Sequence, residues 1–200
     1  MEEKIEFAGG QSKLVGLFSP GTSDRGVVVT HPHPLYGGDM FNNVVEAIAR
    51  AYRQSGYATL RFNFRGVGGS GGEYDGGRGE RDDVSAALDR LAAAGIPQPE
   101  LAGYSFGAWV CAVGAAGFGS VSRMILVAPP VALLDFAEVG WLENLKLVVS
   151  GSEDELGPPE KIAALLPAWN GAARFSVITG ADHFFFGAES ELEAVLTENL

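Results

Sequence analysis

Cysteine occurs once in the 200 residues, at Cys111, so no disulfide can form within the chain. The cytoplasm is therefore the expected compartment, and Cys111 itself reads as a small core residue. Basic residues are also scarce: 14 Lys and Arg stand against 25 Asp and Glu, for a net charge of −11. Nucleic-acid phosphates select basic surfaces, so no nucleic-acid partner is expected. No apolar run reaches the roughly 20 residues of a membrane-spanning helix, and no membrane partner is expected. The opening residues, Met1-Glu-Glu-Lys-Ile-Glu-Phe7, lack the basic and apolar regions of a secretory signal. Internal repeats and low-complexity linkers are missing too, which predicts a single domain over residues 1–200. Histidine occurs only three times, at 31, 33 and 183.

What the chain has is an ordinary globular composition, 46% apolar and 20% charged, with 28 glycines as punctuation. Residues 4–8 and 13–18 read as an antiparallel hairpin at a sheet edge. Val27-Val28-Val29-Thr30 is a compact β-branched run, the pattern of a strand buried on both faces. A helix from Asn42 or Asn43 ends at Gly56, and a strand over 58–64 runs into a glycine loop. A helix over 80–94, a strand over 99–104 and a helix to about 116 follow. Further strands are expected at 123–128, 145–150 and 173–178, with a helix around Ile162 and another around Leu192. Strands alternating with helices predict an α/β fold: a three-layer α/β/α sandwich around a mostly parallel, twisted sheet. Right-handed crossovers then bring the carboxyl ends of the parallel strands to one edge. The segment 129–144 is too short for a helical lid, so the site on that edge is expected to be open.

The segment Leu101-Ala-Gly103-Tyr-Ser105-Phe-Gly107-Ala-Trp109 reads as strand, tight turn and helix, with Gly-x-Ser-x-Gly at the turn. Such a turn lifts the serine above the strand end and aims the N–H groups of the next helix at it. The pattern alone is weak in so glycine-rich a chain, and Gly68-Gly69-Ser70-Gly71-Gly72 holds a second match. Loop-forming residues follow Ser70, whereas an apolar helix follows Ser105, so Ser105 is the candidate nucleophile.

A hydroxyl at neutral pH needs a base, and the base an orienting acid. His183 lies after the last strand, in Gly180-Ala-Asp-His-Phe-Phe-Phe186, which suits the chain order Ser, acid, His. The acid then belongs to the loop Gly151-Ser-Glu153-Asp154-Glu155, and Asp154 is the choice among its three carboxylates. Asp182 adjoins His183, but neighbouring side chains usually diverge. An oxyanion hole needs two N–H donors, one from the backbone of Phe106 and one from the loop after Thr30. Pro32 and Pro34 have no N–H; His33, nearest the strand end, is chosen over Leu35 and Tyr36. His31 reads as loop packing. No carboxylate or thiol stands at ligand spacing from the histidines, so no metal is expected. Gly66-Val-Gly68-Gly-Ser-Gly71 matches a dinucleotide fingerprint without the apolar helix it requires, and no cofactor is expected. The acidic run from Glu80 to Asp83 reads as a helix start, and Phe184 to Phe186 as a mixture of acyl pocket and core.

Five segments together resemble the α/β-hydrolase superfamily, in particular its compact, lidless bacterial branch related to dienelactone hydrolases. They are His31-Pro-His-Pro-Leu-Tyr-Gly-Gly38, Arg61-Phe-Asn-Phe-Arg-Gly-Val-Gly68, Gly103-Tyr-Ser-Phe-Gly-Ala108, Gly151-Ser-Glu-Asp154 and Gly180-Ala-Asp-His-Phe-Phe185. The resemblance implies Ser105 as nucleophile, Asp154 as acid, His183 as base, and backbone donors at His33 and Phe106. Dienelactone hydrolases proper carry cysteine where this chain has Ser105, and their acid loop usually reads Gly-Asp-x-Asp. The expected activity is hydrolysis of a small carboxylic ester through an acyl-enzyme. A peptidase or acyltransferase with the same triad, or a non-catalytic binding module, are the alternatives.

Overall fold

The computed structural model describes residues 1–10, 12–119 and 121–200. Its frame is one eight-stranded sheet formed by β1 (Glu3–Gly9), β2 (Ser12–Ser19), β3 (Gly26–Thr30), β4 (Ala58–Asn63), β5 (Glu100–Tyr104), β6 (Met124–Val127), β7 (Leu145–Gly151) and β8 (Arg174–Ile178). Their spatial order is β1-β2-β4-β3-β5-β6-β7-β8. The β1–β2 hairpin is antiparallel and meets β4 antiparallel, while β4, β3, β5, β6, β7 and β8 run parallel.

Among the described residues five α-helices cover the sheet: α1 (Asn43–Gln54), α2 (Arg78–Ala93), α3 (Phe106–Gly114), α4 (Pro159–Asn170) and α5 (Glu189–Thr197). Side-chain alternation along the strands assigns them to two layers. Val28 and Leu101 pack with Val84 of α2, Cys111 of α3 and Ile162 of α4. Val27, Val29 and Ala102 pack with Ile48 of α1 and Leu192 of α5. All five residues of β3 are buried, as a β-branched central strand requires.

Local signals set the element ends. Asn42 Oδ1 accepts the Val44 and Val45 N–H groups at 2.9 and 3.5 Å and starts α1; Gly56, at φ 83°, turns the chain after it. The second helix begins two residues earlier than its apolar spacing indicates. Glu80 reaches back to accept the N–H groups of Gly77 (2.7 Å) and Asp75 (2.9 Å), so the helix nucleates ahead of its first apolar residue. Asp83 is fully buried and binds the Arg65 backbone N–H at 2.9 Å and its guanidinium at 2.8 Å, which ties the loop after β4 to α2. The elbow helix closes at Gly114 and gives way to a 3₁₀ turn over Ala115–Gly117.

Strand β3 is flanked by β4 on one side and β5 on the other, so the chain direction across the sheet reverses there. The crevice between the carboxyl ends of β3 and β5 is where such sheets bind ligands. The connection from β6 to β7 contains no helix, so no lid covers this crevice. No helix among the described residues is long and apolar enough to cross a membrane.

Candidate active site

The turn between β5 and α3 holds Ser105 at φ 54° and ψ −120°, a conformation that costs a non-glycine residue about 1–3 kcal/mol. Close packing enforces it. A Cβ on Gly103 would stand 2.7 Å from the Ala108 backbone, and one on Gly107 would stand 2.5 Å from Thr30 Oγ1 and 2.7 Å from the His31 carbonyl. Only glycine at both positions lets α3 press against β5 and β3. Ser105 N–H donates to the Val127 carbonyl at 3.0 Å, anchoring the turn to β6.

Ser105 Oγ lies 2.9 Å from His183 Nε2. His183 Nδ1 lies 2.9 and 3.0 Å from the two carboxylate oxygens of Asp154. Asp154 Oδ1 also accepts the N–H groups of Leu156 (3.0 Å) and Gly157 (2.7 Å), which fixes the carboxylate face presented to the ring. A carboxylate offers only acceptors, so Nδ1 carries the proton and Nε2 is left to accept from the serine hydroxyl. All three residues are buried.

The loops bearing Asp154 and His183 are stitched together. Glu153 N–H donates to the Ala181 carbonyl and Ser152 N–H to the Ile178 carbonyl, both at 2.9 Å. Ser152 Oγ accepts the Gly180 N–H at 2.8 Å. A Cβ on Gly151 would sit 2.1 Å from the Ala181 oxygen, so the approach tolerates no side chain there. Glu153 and Glu155 point to solvent. Asp182 is exposed and accepts the Phe184 and Phe185 N–H groups at 2.9 and 3.0 Å, capping the turn. Tyr104 was not visible as a site residue in the sequence: its hydroxyl donates to the His183 carbonyl at 2.9 Å. Its only signal was its place beside Ser105 in the turn.

The three alternatives for a donor in the loop after β3 differ in what they already bind. Leu35 N–H donates to His33 Nδ1 at 3.2 Å, and Tyr36 N–H to the His33 carbonyl at 3.1 Å. Among the described residues, the His33 N–H has no partner within the chain, and neither has that of Phe106 at the start of α3. Phe106 follows Ser105 in the chain, and His33, whose ring centroid lies 4.8 Å from that of Phe106, lines the same cleft as Ser105.

A cleft of about 540 Å³ opens above Ser105 and His183. Its walls include Tyr36, Asn42, Leu133, Leu156 and Phe184, and none of its lining residues is Lys, Arg, Asp or Glu. A larger hollow of about 640 Å³ lies at the amino ends of the strands, around Arg25, Glu100 and Lys146, far from this chemistry. Of the three consecutive phenylalanines, Phe184 lines the cleft, Phe185 is fully buried and Phe186 is exposed.

The remaining sequence motifs are structural. Ser70 Oγ donates to the Asn63 carbonyl at 2.8 Å and accepts the Val15 N–H at 3.0 Å, joining its glycine loop to β2. Cys111 is buried 3.4 Å from Thr30 Oγ1, and burial pushes its thiol up to about 12. His31 is fully buried, and burial pushes its imidazole down to about 4. Among the described residues no three His, Cys, Asp or Glu side chains cluster closely enough to hold a metal ion.

No family model matches the chain. Solved structures do. An alpha-beta serine hydrolase homologue from Coxiella burnetii superposes with a TM-score of 0.92 at 37% identity, over 99% of this chain and 97% of that one. An a/b serine hydrolase without a lid, from Xanthomonas campestris, gives 0.89 at 31% identity, over 99% and 93%. An uncharacterized protein of Rickettsia prowazekii is 30% identical across 98% of this chain and 88% of its own length.

Proposed function

The chain belongs to the α/β serine hydrolase family, in its lidless form, and from that premise we propose that it hydrolyses a small, uncharged carboxylic ester through an acyl-enzyme on Ser105. The observation that supports this most is the run of 2.9 Å contacts from the Ser105 hydroxyl through His183 to Asp154. In the first half-reaction His183 Nε2 takes the hydroxyl proton as Oγ adds to the ester carbonyl carbon. The resulting oxyanion receives the free N–H groups of Phe106 and His33, and each such donor is worth roughly 3–4 kcal/mol to the transition state. The imidazolium returns its proton to the leaving alcohol. Water entering through the open cleft is then deprotonated by the same nitrogen as its oxygen adds to the acyl carbon; the acyl bond to Ser105 Oγ breaks, Oγ takes the proton back from the imidazolium, and the acid leaves. Asp154 keeps the ring in the tautomer that both halves require.

The substrate's lack of charge follows from the walls. An anionic substrate entering this cleft loses water and meets no cation in exchange, a cost that only a paired charge offsets. A matched pair of activated esters tests this, one with a neutral acyl chain and one ending in a carboxylate. The neutral ester is expected to have the higher kcat/KM by at least about tenfold. Equal turnover, or preference for the acid, would contradict the proposal.

A further inference from the structure

The ring of the buried His31 makes two directed bonds. Nε2 lies 3.0 Å from the Phe64 nitrogen, and Nδ1 lies 2.6 Å from the Pro32 carbonyl oxygen. The Phe64 N–H can only donate and the Pro32 oxygen can only accept, so one neutral tautomer satisfies both: Nε2 accepts and Nδ1–H donates. Full burial and the resulting low basicity keep the ring in this form.

The Pro32 oxygen belongs to the same peptide unit as the His33 N–H. In a planar trans unit the two point in opposite directions, so fixing the oxygen fixes the N–H. The next carbonyls in the loop are also engaged, that of Pro34 by the Gly37 N–H at 3.3 Å. The His33 oxygen accepts the Tyr36 and Gly38 N–H groups, both at 3.1 Å. A Cβ on Gly38 would lie 2.2 Å from the Pro32 oxygen, so the loop folds back tightly against this peptide. The His33 N–H, opposite the Pro32 oxygen in this peptide, is left without a partner among the described residues.

We propose that His31 is a positioning residue for oxyanion stabilisation: its Nδ1–H holds the Pro32 carbonyl and thereby aims the His33 N–H at the reacting ester oxygen. This rests on the reading of the His33 N–H as an oxyanion donor. A hydrogen bond on the oxygen side of a peptide also polarises its N–H, so the same contact strengthens the donor it aims. Loss of His31 Nδ1–H removes the hydrogen bond that fixes the tilt of this peptide, and misplacement by about 1 Å costs on the order of 10²-fold in rate.

Two substitutions separate the two bonds. In His31→Asn the amide nitrogen falls near Nδ1 and keeps the bond to Pro32. In His31→Gln the amide oxygen falls near Nε2 and keeps the bond to Phe64, with nothing to hold Pro32. Each variant is assayed on an ester and on its thionoester, whose sulfur accepts hydrogen bonds weakly and gains little from the oxyanion donors. Both assays use the same folded molecules, so the ester-to-thionoester ratio of kcat does not depend on how much of a variant folds. Wild-type protein is first treated with a fluorophosphonate to establish labelling of Ser105.

The ratio is expected to stay within about threefold of wild type in His31→Asn and to fall by at least about tenfold in His31→Gln, with KM for the ester little changed. With Ser105 labelled, an unchanged ratio in His31→Gln, or an equal fall in both variants, overturns the role of His31 and leaves the proposed hydrolase standing. With Ser105 unlabelled, the hydrolase reading itself falls.

Discussion

Replacing Ser105 by alanine is expected to lower kcat on short-chain esters by about 10⁴–10⁶-fold, the range seen when the nucleophile of such a system is removed. The fold should survive. The serine hydroxyl has one bond in the structure, to His183 Nε2, and the turn is held instead by the Ser105 N–H to Val127 and by the glycines around it. Alanine meets the same backbone strain as serine at φ 54°, so thermal unfolding should stay within a few degrees of wild type. Initial rates beside melting curves check both expectations. Activity within tenfold of wild type would show that the chemistry lies elsewhere.

The second large effect concerns the acid. Asp154→Asn is expected to lower kcat by roughly 10⁴-fold, because an amide reverses the tautomer of the histidine. Asp154 Oδ1 is committed to the Leu156 and Gly157 N–H groups. In the asparagine variant the oxygen keeps those two bonds, and the amide N–H₂ turns toward His183 Nδ1. That nitrogen must then accept, so the ring proton moves to Nε2, where it blocks transfer from Ser105. Glu153→Gln changes an exposed side chain whose backbone, not whose carboxylate, joins the two loops, and it should alter kcat by less than about twofold. Steady-state kinetics on the two variants decide between the neighbours; equal losses would contradict the assignment of Asp154.

Much of this was legible in the residues because the three proposed catalytic side chains sit just past strand ends. Once β7 and β8 are placed by their apolar runs, and β5 by its position before the elbow, Ser105, Asp154 and His183 fall on one edge by topology alone. The glycines at 103 and 107 could be interpreted in the same way, since close approach of a helix to a strand leaves no room for a side chain. Asp154 could be chosen from its acidic run, but the reason for the choice lay in three dimensions: the loop's own N–H groups select one carboxylate and turn the others outward.

What the pattern could not supply is the use made of backbone groups. Among His33, Leu35 and Tyr36 the sequence favours His33 only by its place nearest the strand end, whereas the 3₁₀ turn over Pro34–Tyr36 engages the N–H groups of the other two. His31 looked like filler because a buried histidine gives no periodic signal, and its two bonds run to main-chain atoms of Pro32 and Phe64. Tyr104 and the cleft walls from Asn42, Leu133 and Leu156 were hidden for a related reason. They come from the end of β5 and from three separate loops, and only the assembled sheet brings them to one place. The two-residue error at the start of α2 arose from a side chain as well, since Glu80 extends the helix backwards by capping it.

The central claim is a covalent acyl group on Ser105, and intact-mass spectrometry of the protein quenched in acid during turnover of a slow-releasing ester tests it most directly. The account predicts one added acyl mass per chain, mapped by peptide digestion to Ser105 and absent from Ser105→Ala. Continued turnover with no adduct, or an adduct on any other residue, would contradict it.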